Sequence, residues 1–203
     1  IPRIPDFNTG DNEGVSYFQV NQKDGLRWNT AKAFLRPAMN RPNLTLWTHT
    51  QTEKLLFDGR RASALRVHRR DSTAQTVAAR REIILSAGSI GSPQILELSG
   101  VGQGELLAER GIETLHALPG VGENLSDHLQ VRAAFRVSGV STLNTRIKSL
   151  GGRAAMALDF ALRRRGPLTM SPSQLGVFCK SDPSRETANL QYHVQPLSLD
   201  AFG

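Results

Sequence analysis

Residues able to do chemistry are spread thinly along this chain. Its five histidines are dispersed, with no pair at helical ligand spacing, so their arrangement does not predict a zinc site. The single cysteine, Cys179, excludes an internal disulfide framework and is more typical of a small strand residue than of a nucleophile. No G-x-S-x-G sequence is present, so the serines do not indicate a serine hydrolase. These residue types predict neither a metal centre nor a hydrolase.

Two glycine clusters look superficially like dinucleotide-binding turns. Residues 100–104 read G-x-G-x-G, and residues 120–122 read G-x-G. The fingerprint needs a third glycine three residues after the second, and Glu105 and Leu125 occupy those places. The first cluster also follows a predicted helix instead of a strand. We therefore do not expect a complete Rossmann phosphate site here.

A better candidate for a ligand-binding turn lies where an apolar run ends in glycine. The run Glu82–Ala87 enters a turn at Gly88, which is typical of a buried parallel strand that meets a ligand. Ser92 is a natural N-cap for a following helix, and Gly100 suits its left-handed C-terminal end. Because Ala and Gly present almost no side chain, the backbone at Ala87 and Gly88 can be approached closely.

The remaining pattern predicts short strands and helices in mixed order. Asp58-Gly59 separates two β-rich runs, at 53–57 and 62–68, which predicts a hairpin in an antiparallel meander. Further strands are predicted over 44–47, 112–118, 131–137, 174–178 and 190–194, shorter helices over 30–35 and 105–110, and a long helix over 147–165. The predicted fold class is α/β, of the mixed α+β kind.

Composition limits the classes of partner. The 203 residues carry 25 Lys and Arg against 18 Asp and Glu, a net charge of +7, but the excess is scattered arginine without a nucleic-acid motif. We expect no nucleic-acid partner. No apolar run is long enough to span a bilayer, so we expect no transmembrane segment. Because Ile1-Pro2-Arg3 is neither an initiator methionine nor a signal peptide, we expect an internal piece of a longer protein.

One segment carries a specific resemblance. The run 88–102, GSIGSPQILELSGVG, resembles at every defined position the second signature of the glucose–methanol–choline (GMC) family of FAD-dependent oxidoreductases. The resemblance is nearest to the choline dehydrogenase-like branch and continues in the family's order at DFNTG (6–10), RWNTA (27–31), PNLT (42–45), LPGVGENLSDH (118–128) and RGPLT (165–169).

The resemblance implies particular site residues. It places FAD against the backbone at Ala87 and Gly88, and register against the meander assigns a backbone contact with the adenine to Thr52, where the family usually has Val. Alternation along the strand 190–194 puts Gln191 and His193 on one face, as in the family's strand near the substrate pocket. An ordinary sheet face would show the same alternation. The family's phosphate-binding turn and its active-site His lie outside this sequence, so no catalytic residue is assigned, and we expect the chain to be inactive alone.

The resemblance leads to one main interpretation and two alternatives. Residues 1–130 would be part of an FAD-binding domain, and residues 131–203 the start of an antiparallel-sheet substrate domain. The parent would oxidise a primary alcohol by hydride transfer to flavin; the alternatives are a lyase of the hydroxynitrile lyase type and a non-catalytic flavin-fold module. We expect a cytoplasmic protein, with membrane association of the parent as an alternative, and self-association through sheet edges that lack neighbours.

Overall fold

The computed structural model describes residues 1–70, 73–171 and 173–198, which form short strands and helices in mixed order. The strands are β1 (Gly14–Tyr17), β2 (Gln22–Lys23), β3 (Leu26–Arg27), β4 (Thr50–Asp58), β5 (Arg61–Arg69), β6 (Gln75–Ala78), β7 (Val101–Gly102), β8 (His116–Ala117), β9 (Leu175–Cys179) and β10 (Leu190–Val194). The helices are α1 (Arg36–Ala38), which continues a π-helical turn at Ala31–Leu35, then α2 (Gly88–Leu98), α3 (Gly104–Glu109), α4 (Leu143–Lys148) and α5 (Leu150–Arg163), with a 3-10 turn at Pro167–Thr169. This mixture confirms the predicted fold class.

Contacts between residues divide the chain into two compact units. The first unit contains Ile1–Leu44 and the described part of Arg132–Gly203, and the second contains Thr45–Val131. The predicted division into domains 1–130 and 131–203 stays a prediction. No helix within the described ranges is long and apolar enough to cross a membrane.

The second unit is built on the predicted meander. Strands β4, β5 and β6 pair antiparallel in that order. The predicted hairpin of β4 and β5 is confirmed, but the third strand is β6, which the sequence analysis does not predict, and the predicted run 44–47 forms no strand. Gly59 turns the hairpin with a φ of +56°, a conformation that glycine adopts without strain. The pairing of β4 with β5 has two register shifts, and at the first of them Thr52 pairs with Val67 and Lys54 with Arg66, so Glu53 forms a β-bulge.

Helix α2 covers one face of β4 and forms the core of this unit. Leu55 of β4 and Ile95 of α2 are both buried, and the Leu55 N–H donates to Ser99 Oγ at 2.8 Å. Gly100 follows with a φ of +81°, as the sequence predicts for the residue after the helix. Leu107 of α3 is the most completely buried large side chain among the described residues.

The start of α2 differs from the prediction. The helix begins at Gly88, so Ser92 lies in its second turn and is not the N-cap. Gly88 has a φ of +88°, which lets the chain turn directly into the helix five residues early. Ser92 still has a capping role, because its Oγ accepts the Ala87 N–H at 2.9 Å.

The predicted strand Glu82–Ala87 is wrong for the described structure. These residues form no ladder, and the Ile84 side chain is 78% exposed. A strand requires a hydrogen-bonded neighbour, and no described strand lies beside this run to supply one. The same reason accounts for the missing strands at 44–47 and 131–137 and for the shortening of 112–118 to β8.

In the first unit, β1, β9 and β10 form an antiparallel sheet in the order β1-β9-β10. The predicted strands at 174–178 and 190–194 are thereby confirmed, and they are neighbours. Gln191 lies opposite Phe178 and His193 opposite Gly176. Ser16 of β1 lies opposite Gly176 on the other side, which completes one cross-strand row.

The predicted long helix over 147–165 is two helices. Ser149 has extended backbone between α4 and α5, and its Oγ accepts the Gly152 N–H at 3.0 Å. A Cβ on Gly152 would overlap the carbonyl of Arg146, so the glycine permits the close approach of the two helices. The apolar periodicity is correct, but Gly151 and Gly152 weaken the helix at this point and Ser149 caps a new one.

Candidate functional site

The five residues singled out from the sequence fall in two places. Thr52, Ala87 and Gly88 belong to the second unit, and Gln191 and His193 to the first. Ala87 and Gly88 are consecutive at the start of α2, whereas Thr52 lies on β4. Gln191 and His193 share one face of β10.

The turn at Ala87 and Gly88 has the form of a site for a close ligand. Both residues are exposed, and a Cβ added to Gly88 would meet nothing within 4 Å. The turn leads into the eleven-residue helix α2, whose N-cap Ala87 offers no side-chain cap. The first-turn N–H groups of a helix attract anions, and here they lie beside open space. The turn therefore fits a phosphate or polar ring that is held by backbone groups.

Thr52 is placed to make a backbone contact. It is half-buried on β4, directly before the bulge at Glu53, and β4 is an edge strand of its described sheet. Its carbonyl oxygen accepts a hydrogen bond from the side-chain amide of Gln51 at 3.2 Å. The flexible side-chain amide of Gln51 can be displaced from this carbonyl oxygen by the amino group of a ligand. A contact made by this carbonyl would not depend on which side chain residue 52 carries.

On the first unit's sheet, three aromatic residues lie beside His193. The Phe18 ring centroid is 4.9 Å from that of His193 and 5.6 Å from that of Phe7. Phe7 in turn meets Phe178 edge-on at 4.8 Å. We call Phe7, Phe18 and Phe178 the aromatic cluster. It is half-buried, and it gives this face of the sheet an apolar wall next to the polar side chains of β10.

A short hydrogen-bond chain holds His193 from the other side. Gln195 Nε2 donates to Ser173 Oγ at 3.2 Å, and Ser173 Oγ lies 3.3 Å from His193 Nδ1. Gln191, His193 and Gln195 are alternate residues, so they extend a polar row along one face. Among the described residues, His193 Nε2 has no hydrogen-bond partner. The His193 residue is exposed.

The loop that carries Phe7 is fixed by a carboxylate. Asp6 Oδ1 accepts the Asn8 backbone N–H at 2.8 Å, and Asn8 Nδ2 donates to Gln19 Oε1 at 2.8 Å. The backbone N–H of Asn8, followed by the side-chain amides of Gln19 and Asn8, holds the pKa of Asp6 below its usual 3.8. These bonds join the loop to the end of β1 and hold Phe7 against Phe18.

Sequence reasoning missed most of this face. The sequence could have predicted that Gln195 lies on the same face as His193, because it is two residues further along the same alternating run. No local signal links Phe7, Phe18 or Ser173 to His193, since the strands that bring them together are far apart in the chain. Among the described residues no cluster of three or more His, Cys, Asp and Glu side chains could hold a metal ion.

The chain is similar to known proteins over nearly its whole length. A family model described as GMC oxidoreductase matches residues 2–130. An alcohol dehydrogenase (acceptor) from Pseudomonas putida is 36% identical over 199 residues, covering 98% of this chain and 36% of that protein. An oxygen-dependent choline dehydrogenase from Stenotrophomonas maltophilia is 37% identical over 204 residues, covering 100% of this chain and 36% of that protein.

The fold has solved counterparts as well. An FAD-dependent oxidoreductase from Chaetomium thermophilum superposes with a TM-score of 0.76 at 27% identity, over 84% of this chain and 31% of that one. This chain thus spans little more than a third of the length of the curated relatives, since it covers 36% of each.

Proposed function

Because the chain belongs to the GMC oxidoreductase family, we propose that it forms part of an FAD-dependent enzyme that oxidises a primary alcohol. The observation that carries the proposal is the extent of the match. Relatives named as alcohol and choline dehydrogenases align over 98% and 100% of the chain, so both units belong to the shared architecture.

The residues of the second unit fit the cofactor that the family implies. Open space beside Gly88 and the N-terminus of α2, where Ala87 supplies no side-chain cap, suit a flavin nucleotide that is held by backbone N–H groups. The carbonyl of Thr52 suits the amino group of its adenine. When bound, FAD accepts the hydride from the carbon of the alcohol. We propose contacts of Thr52, Ala87 and Gly88 with FAD on this basis.

The first unit supplies the surface for the substrate. Gln191 and His193 offer hydrogen-bonding groups on one sheet face, and the aromatic cluster beside them excludes water from part of it. We propose that the alcohol lies against this face. No base that removes the hydroxyl proton is assigned among the residues of this chain.

The proposal also covers the roles of the two domains, the cellular location and the self-association of the isolated chain. Residues 1–130 would belong to the flavin domain, and residues 131–203 would begin the substrate domain. The run Glu82–Ala87 lacks a described strand neighbour and exposes Ile84, which supports self-association of the chain when it is isolated. We propose a cytoplasmic location, with membrane association of the parent as the alternative.

The decisive experiment uses the whole protein that carries this chain with its flanking sequence. We expect it to be purified with FAD, and to reduce an artificial electron acceptor in the presence of benzyl alcohol or choline. A protein with bound flavin and no turnover of either alcohol would contradict the alcohol oxidoreductase, and a protein without flavin would contradict the cofactor assignment.

A further inference from the structure

We propose that Ser99 is a positioning residue for FAD, because its hydroxyl ties the end of α2 to β4 and so fixes the separation of the two places assigned to the cofactor. This role rests on the proposed function and deepens it. The adenine is assigned to the carbonyl of Thr52, on β4, and the flavin nucleotide to the turn at Gly88, where α2 begins. FAD can contact both places only if the strand and the helix keep one relative position.

The Ser99 hydroxyl is bonded to the backbone of both elements. The Leu55 N–H of β4 can only donate, so Ser99 Oγ is the acceptor of that bond, at 2.8 Å. The hydroxyl proton is donated to the carbonyl of Ile95, four residues earlier in α2. This second bond fixes the Ser99 side chain on its own helix and leaves its oxygen facing β4. Leu55 is buried, so its N–H would have little access to water without this acceptor.

The β-bulge places Thr52 and Leu55 on the same edge of β4. Opposite residues of an antiparallel pair alternate between bonding each other and pointing their backbone groups away. The Leu55 N–H is bonded to Ser99, so the pair of Leu55 with Leu65 is of the second kind. The partner of Thr52 is Val67, two residues from Leu65 on β5, so the Thr52 carbonyl also points away from β5. The carbonyl assigned to adenine and the N–H held by Ser99 therefore share the open edge.

The C-terminal end of α2 is fixed, so Ser99 can set the position of the whole helix. The Gly100 N–H donates to the carbonyl of Glu97 at 2.9 Å, and Gly100 has a φ of +81°. A Cβ at residue 100 would overlap the carbonyl oxygen of Glu113, so this turn is packed tightly. The eleven residues of α2 extend about 16 Å from this end to Gly88. A shift at Ser99 is therefore transmitted to the turn at Gly88.

The two halves of FAD make this separation measurable. FAD consists of AMP joined to FMN, and a joined ligand binds more tightly than either half because its second contact is intramolecular. That advantage is lost when the two places are not held at the separation that the ligand spans. Removing the Ser99 hydroxyl leaves Thr52 and Gly88 themselves unchanged. We therefore expect it to weaken the binding of FAD and to leave the binding of each half unchanged.

The test uses the whole protein that carries this chain, freed of cofactor, and titration calorimetry with FAD, AMP and FMN in turn. Ser99→Ala removes the acceptor, so we expect the Kd of FAD to rise about tenfold. The Kd of AMP and that of FMN should stay within about twofold of the wild type. Ser99→Thr keeps a hydroxyl that can bond the carbonyl four residues earlier, so it should bind FAD as the wild type does.

Ser63→Ala is the matched control for a general loss of stability. Ser63 Oγ donates to the carbonyl of Leu56 at 3.2 Å, so this variant also removes a half-buried bond between a serine and the backbone of β4. That bond lies within the meander and does not involve α2. We expect both alanine variants to lower the melting temperature, and only Ser99→Ala to raise the Kd of FAD. Hydrogen exchange measured by mass spectrometry should be faster at the Leu55 amide in Ser99→Ala than in the wild type.

The outcomes separate this role from the function on which it rests. A wild type that binds FAD, with an unchanged Kd in Ser99→Ala, would overturn the role of Ser99 alone. Equal losses of affinity for AMP, FMN and FAD would also overturn it, because Ser99 would then support each half separately. An equal rise in the Kd of FAD in Ser63→Ala would reduce the effect to general destabilisation and overturn it as well. A wild type that binds no FAD would contradict the proposed cofactor itself.

Discussion

The phenyl ring of Phe18 lies directly on the backbone of Gly176, so closely that a Cβ at residue 176 would overlap the ring. Gly176 is the residue of β9 opposite His193, and Phe18 is the aromatic neighbour of the same histidine. Because Gly176 has no side chain, the Phe18 ring occupies the space that a side chain at residue 176 would fill. His193 is held in place because a glycine in the central strand lets Phe18 reach it.

Replacing Gly176 should therefore damage the sheet face specifically. Gly176→Ala forces Phe18 away from the backbone, and we expect the free energy of unfolding to fall by about 1–3 kcal/mol, the usual range for overpacking. Chemical denaturation would measure the loss, and the His193 ring signals should shift. Gly151→Ala is the control, because a Cβ there meets nothing within 4 Å in α5. A variant at Gly176 as stable as this control would contradict the packing.

Replacing Gly88 should separate backbone strain from loss of the cofactor. At a φ of +88°, Gly88→Val is strained by about 1–2 kcal/mol although no protein atom is near. Gly59→Val is the matched control, since it also has positive φ and open space but lies in the meander hairpin. We expect both variants to lower the melting temperature, and only Gly88→Val to lower the bound flavin-to-protein ratio of the whole enzyme. Normal flavin content in Gly88→Val would place this turn away from FAD.

The Asp6 loop should make a small pH-dependent contribution to stability. The hydrogen bonds from Asn8 and Gln19 lower the pKa of the Asp6 carboxyl in the folded protein, so folding favours its ionised form. The stabilisation is therefore present above the ordinary value of 3.8 and is lost as the pH falls through the lower folded pKa. Asp6→Asn should lack this dependence in denaturation curves across acidic pH. A folded-state pKa at or above 3.8 in a carbon-13 NMR titration would contradict it.

The exposed run at residues 82–87 should drive self-association of the isolated chain. Ile84 is 78% exposed on a segment without a described strand neighbour, so Ile84→Lys should shift sedimentation profiles toward monomer. Ile90→Lys is the control, since this side chain is 73% exposed but lies on α2. Equal effects of the two substitutions would indicate general hydrophobic adhesion instead of edge pairing.

The isolated chain should not oxidise alcohols. The residues assigned in it bind and position, and none is assigned as the base, so adding FAD should give no turnover of choline or benzyl alcohol. Steady-state assays with an electron acceptor would be compared with a control without protein. Reproducible turnover above that control would show that the chain contains a base among its own residues.

Much of the local structure follows from the sequence alone. The Asp58-Gly59 hairpin, the helix that ends before Gly100 and the strands β9 and β10 each depend on residues that are neighbours in the chain. Turn chemistry and periodicity act over a few residues, so the sequence is sufficient to predict them. The resemblance carried by residues 88–102 also identified the family, because a dense run of defined positions is specific without any structure.

Other features were decided only by tertiary structure. The run Glu82–Ala87 has the composition of a strand but forms none, because a ladder depends on a partner and not on its own residues. The break between the two helices at Ser149 depends on the close approach of Gly152 to Arg146. The periodicity of apolar residues carries no information about this contact. His193 contacts Phe18 and Ser173, and Phe7 lies behind Phe18; these residues come together only when β1 and β10 pair with β9. The pairing of distant strands decides which residues become neighbours in space. The sequence therefore predicted His193 as a candidate site residue, but it did not predict the residues that surround its imidazole ring.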